Sequence, residues 1–401
     1  MDCTDDLGYQ CVERWTNNLS KNAYRLLWEG NYNDGDVHDY AELTAETLSI
    51  LVNKCVNVFE MNGVRKGTRL ALYLPALIQM PIAALAAFRI GSPFLPICAM
   101  NEDVDQLVAL LQTSACEVII TVDGFWSGTH LVRTKYILDD TLARLDNSCR
   151  RVVLIRHVTP NEGVPPPQRH IVAKRPHYLY KSCRRVVLIR HVTPNEGVPP
   201  PQRHIVAKRP HYLYKVNMQE GRDLWWSELF AQVSAQRQAT TVDQNAPAML
   251  HPVWSEKGVS LMSRSRDELR NEIEKWAQYI HPTGVCFVMC TQDACAAIVA
   301  MLAALCCSAQ LLIFEGIASY PDCSRISQII NKYEVKTMIV SESDLLPVLQ
   351  NEEYAHMWST AALSKIIVIG THAIAARASA LFGVPSESIM PPWQHTDSSL
   401  K

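Results

Sequence analysis

The fold is decided by the stretch Thr68-Arg69-Leu70-Ala71-Leu72-Tyr73-Leu74, which is followed by Pro75. A short apolar run that stops at a proline predicts a buried β-strand. The sequence after it predicts a helix over Met80 to Arg89, which ends at Gly91-Ser92-Pro93. Because strands that alternate with helices form parallel sheets, this stretch predicts an α/β fold with a doubly wound, mostly parallel sheet.

The same alternation extends in both directions along the chain. Further helices are predicted over Tyr40 to Asn62, Val104 to Thr113, Leu224 to Val233, Asp267 to Tyr279 and Ser324 to Tyr333, and strands over Val118 to Val122, Thr337 to Val340 and Ile366 to Ile369. The apolar run Ala294 to Phe314 is long enough for a membrane span. It is rich in small residues, so a buried helix followed by a buried strand is the preferred interpretation, and we expect no membrane as a partner.

The bulk composition is that of a globular protein. Of 401 residues, 48% are hydrophobic and 19% are charged, and the net charge of −2 gives no reason to expect nucleic acid as a partner. The 13 cysteines lack the close spacing of a disulfide framework, which favours a reducing compartment. Cys286, Cys290 and Cys295 lie in an apolar run, so buried free thiols are expected there rather than a metal site. The acidic N-terminus predicts a protein that is not secreted.

A 34-residue segment, Ser148 to Lys181, recurs without change as Ser182 to Lys215. Each copy holds a strand-like run, Val152 to Ile155 in the first, and a proline triplet that forbids a helix. Two copies cannot build a solenoid. We therefore expect part of residues 148–215 to be a surface insertion, since loops tolerate added length at low cost.

Several strings, taken in order, resemble acetyl-CoA synthetase, an AMP-forming member of the adenylating acyl-CoA ligase superfamily. They are Trp28-Glu29-Gly30, Gly63 to Gly67, Ala86 to Gly91, Ile119 to Gly124, Asp223 to Leu229, Phe314 to Asp322 and Pro392 to Asp397. The resemblance implies part of the N-terminal adenylation domain, with a first α/β part over residues 1–147 and a second, truncated part over 216–401. The family's C-terminal lid domain is expected to be absent from this chain.

Enzymes of this family join acetate or another short carboxylate to CoA. The carboxylate attacks the α-phosphate of ATP, releasing pyrophosphate, and the CoA thiol then displaces AMP. The resemblance thus implies ATP, Mg²⁺ and CoA as cofactors and a cytoplasmic protein, with nucleus or mitochondrion possible by analogy. Adenylation depends on donors placed around the phosphates, because the protein gives little covalent help.

The family's glycine-rich phosphate loop has a poor counterpart here. The matching string is His251-Pro252-Val253-Trp254-Ser255-Glu256-Lys257-Gly258-Val259, in which Ser255, Lys257 and Gly258 are the remnants of the loop. Pro252 lacks an N–H donor, Trp254 is bulky where glycine is needed, and Glu256 adds negative charge. We expect an ordinary polar loop that does not bind ATP productively.

Other family motifs are partly kept, and no residue is assigned a catalytic role. Gly370, Thr371, Thr396 and Asp397 are expected as nucleotide-binding remnants, with Asp397 a possible Mg²⁺ ligand, and Trp393 and Gln394 as acyl-pocket remnants. Trp393 can equally be a core or surface aromatic. Ala294 to Ile298 lacks the glycine and histidine of the family's carboxylate pocket, and Ser127 stands where an arginine for CoA is implied.

Three hypotheses follow from this pattern. The first is an acetyl-CoA synthetase-like adenylation domain that is catalytically defective, a pseudoenzyme that has no remaining role or binds an unknown protein partner. The second is a non-catalytic protein that still binds a nucleotide or acyl-CoA. The third is a faulty gene model of an active acyl-CoA synthetase, which the transcript sequence would reveal.

Overall fold

The computed structural model describes residues 7–18, 24–34, 37–145, 149–158, 216–236 and 242–393. In these residues the strands are β1 Tyr24–Asp34, β2 Val37–Thr44, β3 Leu70–Leu74, β4 Phe94–Cys98, β5 Val118–Val122, β6 Phe125–Ser127, β7 His130–Val132, β8 Arg151–Ile155, β9 Asp223–Trp225, β10 Pro247–Ser255, β11 Gly258–Ser265, β12 Val285–Met289, β13 Gln310–Phe314, β14 Val335–Ser341, β15 Lys365–Ile369 and β16 Ser386–Ile389. The helices are α1 Arg14–Asn18, preceded by a π-helical turn Tyr9–Glu13, then α2 Ala45–Met61, α3 Gln79–Ile90, α4 Val104–Ser114, α5 Thr134–Leu142, α6 Trp226–Gln232, α7 Arg266–Ala277, α8 Ala294–Cys306, α9 Arg325–Tyr333, α10 Glu342–Gln350, α11 Glu352–Ala355 and α12 His372–Phe382.

Two mixed sheets organise these elements. Sheet A has the strand order β16-β15-β14-β12-β13-β1-β2, and sheet B has the order β11-β10-β4-β3-β5-β8-β9. In each sheet one edge strand is antiparallel to its neighbour, β2 in sheet A and β11 in sheet B, and the other pairings are parallel. The predicted α/β fold with mostly parallel sheets is confirmed.

The sheets do not follow the halves of the sequence. β1, from the N-terminal part, pairs in parallel with β13, so Leu26 faces Leu311 in sheet A. The β10–β11 hairpin, from the C-terminal part, joins sheet B beside β4. Each sheet therefore draws strands from both sides of residues 148–215, and the division into domains stays a prediction.

Helix α8 lies in the core, and all of its residues from Ala294 to Cys306 are buried. It contacts α3 and β4 on one side and β12 and β13 on the other. Its alanines leave room for this close approach to both sheets. The run Ala294 to Phe314 is thus the predicted buried helix followed by a strand, and no described helix is long and apolar enough to cross a membrane.

Two predicted helices begin too early. The helix predicted from Tyr40 starts at Ala45, because Tyr40 and Thr44 are paired with β1 and the Thr44 side chain caps the helix by accepting a hydrogen bond from the Thr47 amide at 3.2 Å. The helix predicted from Leu224 starts at Trp226, because Leu224 is paired with Val153 in sheet B. In both places pairing with another strand overrides the local periodicity.

The other predicted helices and strands are confirmed to within two residues of their ends. Cys286, Cys290 and Cys295 are buried free thiols, and the described residues contain no group of three or more His, Cys, Asp or Glu side chains that could hold a metal. The strand-like run of the first tandem copy is β8. The rest of that copy from residue 159 and the whole second copy lie outside the described residues.

Candidate functional site

A cleft of about 910 Å³ opens where strands of both sheets end. Sheet A contributes the residues at the carboxyl ends of β14 and β15, and sheet B contributes the end of β4 and the β10–β11 hairpin. Ligand sites of parallel α/β sheets lie at this edge, and the volume is within the usual range for a small-molecule site. The lining consists of Pro96, Ile97, Cys98, Met100, Asn101, Gln106, Leu110, His251, Pro252, Trp254, Gln292, Asp293, Ala294, Cys295, Ser341, Glu342, Ser343, Ile369, Gly370, Thr371, Met390 and Trp393.

The string that stands for the phosphate loop is not a loop but most of a β-hairpin. Strands β10 and β11 are joined by a two-residue turn at Glu256 and Lys257, and Pro252 faces Leu261 across the ladder. A proline is tolerated in a ladder only where its missing N–H would point away from the neighbouring strand, so Pro252 is in a non-hydrogen-bonded pair. Because the two kinds of pair alternate along an antiparallel ladder, Val253 and Ser255 are in hydrogen-bonded pairs with β11. Their amides point at β11 and are not available to a ligand.

The three remnants of the loop lie at the exposed tip of this hairpin. The Lys257 amide donates to the Ser255 hydroxyl at 3.3 Å, and that hydroxyl donates to the Gly258 carbonyl at 3.1 Å. Ser255, Lys257 and Gly258 are exposed and are not part of the cleft lining. The prediction of an ordinary polar loop needs correction, because ladder pairing across β10 and β11 extends to the turn.

His251, further back on β10, is fully buried in the wall of the cleft. Neither ring nitrogen has a hydrogen-bond partner among the residues that the structure describes. Burial lowers the pKa of His251, and the positive charge of Arg264 on β11 lowers it further, while Asp293 acts in the opposite direction. The ring is therefore neutral at pH 7 and offers one N–H donor and one acceptor.

Asp293 and Trp393 form the adjoining part of the wall. The Asp293 carboxylate accepts from the Ala296 amide at 2.9 Å and so caps the N-terminus of α8, and it also accepts from the Trp393 indole N–H at 3.3 Å. The Trp393 ring lies against the His251 ring, with centroids 5.9 Å apart. Trp393 is thus in the cleft, as the resemblance implies, whereas Gln394, Thr396 and Asp397 lie outside the described residues.

Gly370 and Thr371 lie opposite, after β15, and Glu342 binds them. The Glu342 carboxylate accepts from the Thr371 amide at 2.8 Å and from the Thr371 hydroxyl at 3.0 Å. A Cβ atom on Gly370 would lie 2.5 Å from the same carboxylate oxygen, so the glycine is what lets Glu342 approach. Gly370, Thr371 and Trp393 are therefore brought into one cleft although they are distant from one another in sequence.

The described residues do not fit an ATP triphosphate with Mg²⁺. The hairpin offers no free run of amides, and no lysine or arginine is among the described residues of the lining. Its acidic side chains are Asp293 and Glu342. Ser127, the position implied for CoA, is buried in the small β6–β7 sheet.

Sequence reasoning missed His251 and Glu342 as residues of the site. His251 was quoted only as the start of a string, and its burial depends on packing against Trp393, which is remote in sequence. A signal for Glu342 was present, because an acidic residue directly after a predicted strand stands at the carboxyl edge of a parallel sheet. The strand prediction stopped at Val340, one residue short of Ser341.

Comparisons with known proteins identify the relatives of this chain. A family model described as AMP-binding enzyme matches residues 21–206. The acetyl-coenzyme A synthetase of Pyrobaculum arsenaticum is 34% identical over 154 residues, which is 38% of this chain and 23% of that protein. The acetyl-coenzyme A synthetase of Leptospira biflexa is 22% identical over 367 residues, which is 88% of this chain and 46% of that protein.

A solved structure supports the fold at lower identity. The crystal structure of Brucella canis acyl-CoA synthetase superposes with a TM-score of 0.66 at 14% identity and covers 97% of this chain and 57% of that one. The Leptospira and Brucella proteins match this chain along most of its length. The chain spans about half the length of each of these two relatives.

Proposed function

Since this chain belongs to the superfamily of AMP-forming acyl- and acetyl-CoA synthetases, we propose that it is an adenylation domain without acetate–CoA ligase activity. The observation that carries the proposal is the hairpin at residues 247–265 in place of a phosphate loop. Adenylation requires that donors surround the phosphates as pyrophosphate leaves. Ladder pairing occupies the Val253 and Ser255 amides, and Pro252 has no N–H to offer.

The remaining wall of the cleft supports the same proposal. Asp293 and Glu342 are the acidic side chains among its described residues, and neither would attract a polyphosphate. Trp393 and Thr371 line the cleft, and a fold can keep such positions without keeping the reaction. The buried free thiols among the described residues support a reducing compartment such as the cytoplasm.

The test is acetate-dependent release of pyrophosphate by the full chain with ATP and Mg²⁺. We expect no release above the background without acetate, measured beside an active acetyl-CoA synthetase. Trp393→Ala serves as the matched variant, because a contaminating host enzyme would be equally active in both preparations. Release by the wild type that is lost in Trp393→Ala would refute the proposal.

A second candidate is a protein that binds a nucleotide-like ligand without transforming it. The observation in its favour is the cleft itself, which keeps a volume of about 910 Å³ and neutral polar groups such as Asn101 and Gln292. A calorimetric titration detects such binding without any turnover. Binding and catalysis are separate properties, so this candidate is compatible with the absence of ligation.

A further inference from the structure

The N-terminal segment, residues 7–18, packs against the C-terminal end of the core helix α8. Its Arg14 guanidinium donates to the Cys306 carbonyl, the last of that helix, at 2.5 Å. The π-helical turn Tyr9–Glu13 precedes Arg14 and places Cys11 beside the same end of α8. Two parts of the chain that are 295 residues apart therefore meet at one point.

Two thiols are in contact at this meeting point. The sulfur atoms of Cys11 and Cys306 lie 3.1 Å apart. The bonded sulfurs of a disulfide lie about 2.05 Å apart, so a movement of about 1 Å would join them. The Cys11 thiol also donates to the Leu302 carbonyl one turn earlier in α8, at 3.6 Å. Both contacts hold the Cys11 sulfur against the helix.

A buried cation lies beside these sulfurs. Arg25, on β1, donates to the carbonyls of Leu305 and Cys307, both at 2.8 Å. Burial lowers the pKa of Arg25, and three nearby thiols act in the opposite direction. Those thiols belong to Cys11, Cys307 and Cys306. Since a neighbouring cation favours the thiolate, which is the reactive form, the charge around the pair suits oxidation.

We propose that Cys11 and Cys306 are a redox-modification site, and that a hydroperoxide converts them into a reversible disulfide. Cys306 is 8% exposed and Cys11 is 0% exposed, so the oxidant meets Cys306 first. In a reducing compartment such a disulfide is transient and reports the presence of an oxidant. It fixes the N-terminal segment covalently to α8, whose other end lies in the wall of the cleft.

The reaction consumes one hydroperoxide for each disulfide. The Cys306 thiolate attacks one peroxide oxygen, the O–O bond breaks, and water or an alcohol leaves, so that Cys306 becomes a sulfenic acid. The Cys11 sulfur then attacks the Cys306 sulfur, the S–S bond forms, and the S–O bond breaks with loss of water. The two thiols lose two electrons and two protons, which the hydroperoxide takes up. A dithiol reductant reverses the change.

The experiment treats the full chain with a small excess of hydrogen peroxide and then labels the remaining thiols with N-ethylmaleimide in denaturant. Chymotrypsin separates Cys11 from the other cysteines in the peptide Gln10 to Trp15, and it releases Cys306 in the peptide Cys306 to Leu311. We expect the two peptides to be linked, with a mass two hydrogens below their sum, and both cysteines to lose their label. Dithiothreitol should separate the peptides and restore the labelling.

Cys98 and Cys149 are internal controls in the same digest. Both are half-buried and thus more exposed than Cys306. If exposure, rather than the closeness of two sulfurs, decided the reaction, these two cysteines would lose their label first. We expect them to keep it, and their loss of label before Cys306 would overturn the proposal.

Cys307→Ser is the matched variant, because it removes the adjacent thiol and leaves the pair in place. The linked peptides should still form in this variant and should be absent in Cys306→Ser. A link from Cys11 or Cys306 to another cysteine would overturn the proposal, and so would a Cys306 oxidised beyond the sulfenic acid while Cys11 keeps its label. If Cys306→Ser does not fold, Cys11→Ser gives the same comparison.

Thermal unfolding is the second measurement. A disulfide that closes so long a loop restricts the unfolded chain, so the oxidised protein should melt at least about 5 °C above the reduced protein. Cys306→Ser, treated with peroxide in the same way, should show no such rise. A linked protein that melts at the temperature of the reduced form would contradict the covalent attachment of the N-terminal segment to α8.

Discussion

The Glu29 carboxylate is fully buried in the middle of β1, and three side chains of α9 surround it. It lies 2.6 Å from Arg325 Nη2, 2.7 Å from Lys332 Nζ and 2.5 Å from the Tyr333 hydroxyl. Burial alone would raise the pKa of Glu29, but the charges of Arg325 and Lys332 together with hydrogen bonds lower it overall. Glu29 is therefore ionised in the folded protein and ties α9 to sheet A.

Glu29→Gln should lower the free energy of unfolding by about 3 kcal/mol at pH 7, because it leaves the buried Arg325 without its counter-charge. The lowered pKa means that this stability is fully present above the unfolded pKa of about 4.3 and is lost as the pH falls through the folded value. Urea unfolding from pH 7 to pH 3 measures both effects, and the difference between wild type and variant should shrink at the acid end.

Asp105→Asn is the matched control for Glu29. The Asp105–Arg144 ion pair has a similar distance of 2.7 Å but is exposed, so its loss should change the free energy of unfolding by less than about 1 kcal/mol. Equal effects of the two substitutions would show that burial does not strengthen the Glu29 pairing.

The β10–β11 hairpin is the element that distinguishes this chain from an ATP-binding loop. At its tip Gly258 has a φ of +108°, and a Cβ atom placed there would have no heavy atom within 4 Å. The glycine is thus required by the backbone conformation and not by the space around it. A phosphate loop would instead need its glycines so that amides could approach a ligand closely.

Gly258→Ala should destabilise the protein by about 1 kcal/mol, the usual cost of a left-handed backbone for a residue with a Cβ. Thermal unfolding of the variant measures this loss. A calorimetric titration with nucleotide should match that of the wild type, because the hairpin tip is outside the cleft lining.

Lys257→Ala, at the neighbouring exposed position, is the control and should alter neither stability nor binding by a measurable amount. If Gly258→Ala abolished ligand binding while the protein remained folded, the hairpin tip would belong to the site after all.

At the scale of the whole molecule, the pair His157–Glu315 joins the two sheets. His157 follows β8 of sheet B and Glu315 follows β13 of sheet A, and their Nε2 and Oε1 atoms lie 2.5 Å apart in the interior. Burial alone would lower the pKa of His157, but Glu315, with Asp123 and Asp39 also facing it, raises the pKa overall. The charged pair therefore couples the two sheets near the carboxyl ends of their strands.

His157→Gln should destabilise the protein by about 3 kcal/mol at pH 6, since it leaves Glu315 buried without its partner. A raised pKa means that the stability is fully present below the unfolded pKa of about 6.5 and is lost as the pH rises through the folded value. The free energy of unfolding of the wild type, followed from pH 6 to pH 9, should thus approach that of the variant.

The exposed pair His130–Glu102 provides the matched control for this comparison. Its atoms lie 2.8 Å apart, but the side chains are 62% and 43% exposed, so His130→Gln should change the stability by less than about 1 kcal/mol at any pH. A His157→Gln protein whose stability differs from the wild type by the same amount at pH 6 and pH 9 would argue against a charged histidine at the junction.

The fold was predictable from the sequence in the places where a local pattern suffices. Between Leu70 and Val122 the predicted elements β3, α3, α4 and β5 were confirmed to within two residues, and so was the buried helix α8, although strand β4 was not predicted. The candidate site was only partly predictable. Gly370, Thr371 and Trp393 were expected and share one cleft, while His251 and Glu342 acquired their positions from contacts with residues far away in the chain.

The sequence by itself determined elements such as β3, α3, α4 and β5, because hydrophobic periodicity, prolines and glycines act within a few residues. Only the tertiary structure decided that β1 pairs with β13, that residues 247–265 form a hairpin, and that Glu342 accepts hydrogen bonds from Thr371 at the cleft. Such choices depend on the free energy of contacts between distant residues, which no local stretch of sequence contains.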